Sequence, residues 1–348
     1  MSSAHALFRM IDRRRDSLLG FLDYRYMPFA LGDTLTWLMN LQVEAKGREL
    51  DRISLLLHAD PEAPTWRLQP NITAQNYRDC LANLLPAFFC SPMTEAIDVV
   101  EHKRLYWAML AAAALGRRPA WPGLGSQLCE TIDYASHKRI NAYFQKYGSL
   151  PLLASPRGYA GCAADFRDRH LSGRFVVTIN IRQRGTQYDK AALHRDSSME
   201  AWMTFLARAA RSHPDAVFLV LGGYTEWDRR LAVFPNVLVP RVFGHGLGLD
   251  LALLFSGDLF MGTSSGFAAA ATFSRVPYVI TNYEHAAASF TAIPVGAPRY
   301  PFAQPNQTLS WERETPELLM DLFSEAHARC REATDHPERR TDPDRGAR

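Results

Sequence analysis

Compact apolar runs alternate with helical patterns twice along these 348 residues, and a proline- and glycine-bearing stretch separates the two series. That alternation limits the architecture sharply, because strand, helix and strand in succession close as parallel βαβ units. In the first series Leu18–Tyr24, Ile53–His58 (ISLLLH) and Ile97–Val100 (IDVV) read as strands. Thr34–Lys46, Thr73–Phe89, Lys103–Leu115 and Gln127–Tyr147 read as helices, the last two stopped by Gly116 with Pro119 and by Gly148 with Pro151. In the second series the strands are Arg174–Ile181 (RFVVTINI), Val217–Leu221, Val237–Val239, Asp258–Met261 and Pro277–Thr281. Helical patterns there cover Met199–His213, Gly248–Phe255, Phe267–Phe273 and Thr315–Ala333. The expectation is an α/β chain of two parallel-sheet domains, 1–150 and 174–333, with a linker at 151–173. Residues 334–348, almost without apolar side chains, read as a disordered C-terminal tail.

Hydrophobic content of 47% is enough for two cores, and a net charge of +3 argues against a nucleic-acid polymer as partner. The longest apolar helical run, Leu105–Leu115, is too short to span a bilayer, and no signal peptide is read in MSSAHALFRMIDRRR. A cytoplasmic protein is expected. Cys80, Cys90, Cys129, Cys162 and Cys330 are odd in number and widely spaced, which suits buried free thiols. The eleven histidines show no ligand spacing, so no metal site is expected. Near the N-terminus, Leu7, Phe8, Ile11 and Leu18 interleave with Arg9, Arg13, Arg14 and Arg15. A helix docked on the first domain is favoured there over one lying on an anionic membrane surface.

Ligands of open parallel sheets bind outside the carboxyl ends of the strands. Three strand-to-helix turns have suitable chemistry. Leu31-Gly32-Asp33-Thr34 opens a helix: Asp33 or Thr34 caps it, or Asp33 serves as a base toward an acceptor hydroxyl. Asn180-Ile181-Arg182-Gln183-Arg184-Gly185 ends the best strand, with Arg195 following, and is either a solvated loop or a set of fork-shaped donors for a diphosphate. Gly262-Thr263-Ser264-Ser265-Gly266 stacks hydroxyls and glycine at a helix start, as a cap or as an anion cradle. Gly222, Glu226, His245 and Glu284 are weaker candidates in neighbouring loops. Neither G-x-G-x-x-G nor G-x-x-x-x-G-K-[ST] is present.

LGDTLTWLMN resembles the opening of bacterial heptosyltransferase-type enzymes, and DLFMGTSSGFAAAATFSRVPYVITN resembles their donor-binding turn and that of O-fucosyltransferase-like bacterial glycosyltransferases. INIRQRG is similar to the arginine-bearing donor loop of the fucosyltransferase group, which usually has His where Asn180 stands. Heptosyltransferases usually carry Asp where Ser264 or Ser265 stands. The resemblance implies a GT-B glycosyltransferase: two Rossmann-like domains facing a cleft. It implies Asp33 as base and a nucleotide-diphosphate sugar held by Arg182, Arg184, Arg195 and Thr263–Gly266. No further cofactor is implied, and the acceptor would be a glycan, a lipid-linked glycan or a small molecule. A non-catalytic nucleotide-sugar binder and a sugar-nucleotide epimerase on the same fold are the alternatives.

Overall fold

A computed structural model describes residues 16–60, 69, 71–116, 118–125, 136–183, 195–223, 227–244, 246–283 and 291–335. The chain divides into two compact units. One takes Met1–Cys162 with Gly246–Ala252 and His285–Val295, and the other takes Ala163–His245, Leu253–Glu284 and Gly296–Arg348. The N-terminal helix expected around Leu7–Arg15 lies outside the described residues, as does most of the expected tail.

The first unit holds a parallel sheet of β1 (Ser17–Asp23), β2 (Arg52–His58), β3 (Thr94–Val100) and β4 (Ala120–Trp121), in the order β3-β2-β1-β4. Its helices are α1 (Leu31–Gly47), α2 (Tyr77–Phe88), α3 (Lys103–Leu115) and α4 (Lys138–Tyr147). Every residue of β1 is buried, as expected of a central parallel strand with both faces covered. Gly20 in that strand admits α1 closely: a Cβ there would stand 2.5 Å from a methyl of Leu41. The expected linker contains a helix, α5 (Ala160–His170).

The second unit carries β5 (Phe175–Asn180), β6 (Ala216–Val220), β7 (Val237–Leu238), β8 (Leu259–Thr263), β9 (Tyr278–Thr281) and β10 (Gln307–Leu309). All its pairings are parallel, in the order β10-β9-β8-β5-β6-β7. Successive strands step outward from β5 to β7, and the chain then returns to the other side of β5 with β8. That reversal makes the β5–β8 junction a topological switch point, the usual ligand position in doubly wound sheets.

Its helices are α6 (Met199–Ser212), α8 (Gly266–Thr272) and α9 (Pro316–Asp335), while α7 (Leu247–Ser256) is divided between the units after Ala252. Helix α9 includes Thr334 and Asp335, which the sequence pattern assigned to the tail. It packs on α6 through an aromatic cluster. Phe205 meets Trp202, Phe218 and Phe323 edge-on, at ring separations of 5.6, 5.4 and 5.6 Å. Such edge-to-face pairs add to the burial energy of the rings. Strands β4 and β10, two and three residues long, escaped the sequence reading because neither is long enough to show periodicity.

Phe205 is fully buried at the centre of this cluster. Phe205→Ala is expected to cost about 3–5 kcal/mol, read as a lower urea midpoint with an unchanged slope. A loss below about 1 kcal/mol would show that the cluster does not hold the unit together.

Candidate functional site

The switch point gathers two of the three turns. Strand β5 ends at Asn180, whose register partner on β8 is Gly262. The strands come together tightly here, since a Cβ on Gly262 would lie 2.7 Å from the Asn180 carbonyl oxygen. No side chain larger than hydrogen fits without moving backbone. The Asn180 amide donates to the Leu221 carbonyl at 2.9 Å, fixing the chain as it leaves β6. Gly222 follows with φ +141°, a conformation open to glycine.

Beyond Gly262, Thr263 is fully buried and its hydroxyl has no hydrogen-bond partner among the described residues. Ser264, Ser265 and Gly266 are half-buried. The Ser265 hydroxyl accepts from the Ala268 N–H at 3.3 Å and caps α8, so the capping role expected for this turn is filled by Ser265.

Arg182 is buried rather than presented to solvent. Its Nη1 lies 3.5 Å from Asp196 Oδ1, and its carbonyl accepts the Ser197 N–H at 2.8 Å. The chain therefore leaves the sheet at Arg182 and returns to the same point at Asp196–Ser197. Arg195 is half-buried at that return. Arg184, Glu226, His245 and Glu284 lie outside the described residues.

Sequence reasoning missed a buried acid on the same edge of the sheet. Glu314 is 7% exposed. The Thr281 hydroxyl stands 2.7 Å from its Oε1, and the Ser198 N–H donates to Oε2 at 3.0 Å. The Trp202 and Ser197 side chains face the same carboxyl group, and burial is the leading effect, raising its pKa above the ordinary glutamate value. Asn282, at the end of β9, adopts φ +47°, which asparagine tolerates better than most residues. Its Oδ1 accepts the Glu314 N–H at 3.0 Å, and its Nδ2 donates to the Asp196 carbonyl at 3.4 Å. A lone Glu in WERETP gives no sequence signal for this role. A readable hint was Asn directly after the VIT strand.

In the first unit, β1 ends in a different arrangement. Asp23 is fully buried and accepts from the Arg25 backbone N–H at 2.9 Å and from Arg25 Nε at 3.0 Å, with Nη2 also paired to it. Asp23 supports the Arg25 charge against desolvation, and the Arg25 pKa stands above its ordinary value. Tyr24 stacks on Phe29 at 4.0 Å, and Gln69 clamps Phe29 by accepting its N–H at 2.7 Å and donating to its carbonyl at 3.3 Å. This braced loop delivers the chain to α1.

Helix α1 starts at Leu31, earlier than the pattern suggested, and its N-cap is Ala30 without a side-chain cap bond. Neither Asp33 nor Thr34 is therefore the cap. Gly32 is the second helical residue, and its carbonyl accepts the Thr36 hydroxyl at 2.9 Å. Asp33 stands half-buried in the first turn, where a carboxylate complements the positive end of the helix. Among the described residues, no group of three or more His, Cys, Asp or Glu side chains could hold a metal ion. No helix among them is long and apolar enough to cross a membrane.

No family model and no curated protein matches the chain. Among solved structures it is similar to a glycosyl transferase of family 9 from Veillonella parvula, at 12% identity and TM-score 0.48, over 92% of this chain and 99% of that one. It is also similar to the E. coli ADP-heptose lipopolysaccharide heptosyltransferase II, at 10% identity and TM-score 0.49, over 90% of this chain and 99% of that one. A putative UDP-N-acetylglucosamine 2-epimerase from Listeria monocytogenes matches at 11% identity and TM-score 0.36, over 90% of each chain.

Arg182→Ala leaves Asp196 partly buried without that cation. A loss of about 1–2 kcal/mol is expected in urea denaturation, less than for a fully enclosed pair because Asp196 keeps some exposure. Arg182→Ala combined with Asp196→Ala should recover part of it, and strict additivity would remove the pair from the loop's support.

Proposed function

We propose that the chain is an inverting, metal-independent glycosyltransferase that moves a sugar from a nucleotide-diphosphate donor to an acceptor hydroxyl. The observation that carries this reading is the meeting of the two anion-friendly turns at the β5–β8 switch point, where Asn180 faces Gly262 in register. The resemblance of LGDTLTWLMN, INIRQRG and DLFMGTSSG to glycosyltransferase turns supports the same chemistry.

The second unit would hold the donor. Gly262 gives the diphosphate close access to backbone, the Thr263–Gly266 turn offers hydroxyls and N–H groups, and Arg184 and Arg195 offer cationic donors. Arg182 is held with Asp196 where the chain leaves β5. The acceptor oxygen attacks the anomeric carbon as the bond from that carbon to the diphosphate oxygen breaks, which inverts the centre. The acceptor proton passes to Asp33, and the diphosphate departs with the electron pair. Its growing charge is met by arginine and N–H donors fixed in advance. The acceptor class is a glycan, free or lipid-linked, or a small hydroxylated molecule, and the setting is cytoplasmic.

Donor class is read by thermal shift with UDP-, GDP-, ADP- and CMP-sugars. At a hundredfold excess over Kd the matching donor stabilises the native state by about 2.7 kcal/mol. No shift with any of them would overturn the donor-site reading.

Asp33→Asn is expected to leave donor binding intact and slow transfer by about 10²-fold or more. Undiminished transfer would remove Asp33 from the chemistry. Conversion of the donor to another sugar nucleotide with no acceptor present would identify an epimerase instead.

A further inference from the structure

We propose that Glu314, acting as a neutral acid, is the positioning residue of the diphosphate site, joining the turn after β8 to the base of the loop after β5. This rests on the donor-site reading above and concerns what holds its two halves in register.

The proton count carries the inference. Thr281 Oγ1 lies 2.7 Å from Glu314 Oε1 and 3.3 Å from the Gly262 carbonyl oxygen. A threonine hydroxyl has one proton, and a carbonyl oxygen accepts only. With Glu314 ionised, both neighbours of the hydroxyl would compete for that single proton. With the proton on Oε1, Glu314 donates to Thr281 and Thr281 donates to Gly262, so each contact is satisfied. Oε2 meanwhile accepts the Ser198 N–H at 3.0 Å; the Trp202 and Ser197 side chains at the same carboxyl favour its ionised form, and burial outweighs them. Burial of Glu314 favours the same form.

The relay reaches both halves of the site. On one side it ends at Gly262, the residue that lets β8 approach β5. On the other, Ser198 and the Asn282 amide connect Glu314 to Asp196–Ser198, the stretch that receives Arg182. Arg182 and Asp196 already balance one another in charge. A further carboxylate beside them would repel an anion arriving at the switch point, whereas the neutral acid adds order without adding charge.

The test compares wild type with Glu314→Gln, Glu314→Ala and Thr281→Val. Calorimetric titrations use ADP, GDP, UDP and CDP and the four matching nucleosides, with melting temperatures recorded in parallel. Gln keeps an N–H donor for Thr281 and a carbonyl acceptor for Ser198, so Glu314→Gln should bind the preferred diphosphate within about threefold of wild type. Thr281→Val and Glu314→Ala should weaken the diphosphate about tenfold or more while changing nucleoside affinity less than about threefold.

A Glu314→Gln variant as impaired as Glu314→Ala would show that the charge is required and would overturn the proposal. So would Thr281→Val weakening nucleoside and diphosphate equally, the mark of a merely structural role. If Glu314→Ala does not fold, Thr281→Val and Glu314→Gln decide. Wild type that binds a diphosphate beside a Thr281→Val variant of equal affinity defeats this inference alone. Wild type that binds no diphosphate defeats the donor-site reading, and this inference with it.

Discussion

The pairing of β5 with β8 is the constraint on which the second unit depends. Two strands far apart in sequence lie side by side with backbone so close that one register position admits only glycine. The sheet grows outward from this seam in both directions, and the chain must leave each strand end without covering the seam. Every polar device described at this edge serves that requirement. The Asn180 amide ties back the exit from β6, Ser265 starts α8, and Arg182 with Asp196 closes the excursion after β5.

Charge is handled differently in the two units. At the end of β1 a fully buried carboxylate is balanced locally, by a guanidinium two residues away that is itself mostly buried. Beside the end of β9 the buried Glu314 carboxyl is met by the Thr281 hydroxyl and the Ser198 N–H, while the Glu314 backbone N–H donates to an asparagine that bridges to the next segment. The first arrangement braces one loop, and the aromatic stack of Tyr24 on Phe29 completes it. The second gathers three separate segments, and its stability rests on complete hydrogen bonding, because an unpaired buried polar group is costly.

Much of this was legible in the residues. RFVVTINI, VFLVL and ISLLLH announce buried parallel strands through apolar runs of strand length, and the structure places strands there. The turn GTSSG declared its cap, and Ser265 fills it. What stayed hidden has a common physical cause. Strands β4 and β10 exist because neighbours pair with them, not through any pattern of their own. Asp33 looked like a cap because caps are common after such loops, yet the helix that follows the braced Tyr24–Phe29 segment starts three residues earlier. Arg182 looked like a surface donor because arginine usually is one, but Asp196 lies fourteen positions further along the chain and draws it inward. Glu314 escaped because its partners come from two other stretches of chain.

Asn282 shows what such a network asks of a single position. Glycine would accept its backbone angle but would bring no amide. Aspartate would accept from the Glu314 N–H but could not donate to the Asp196 carbonyl, and would set a second acid beside the first. Longer side chains would meet the left-handed conformation at a cost. One residue type meets all three demands, and the partner it meets 32 positions later is the backbone N–H of residue 314. Asn282 therefore binds main chain to main chain: exchanging the side chain at position 314 leaves both of its bonds in place, while exchanging Asn282 itself releases two stretches of backbone at once.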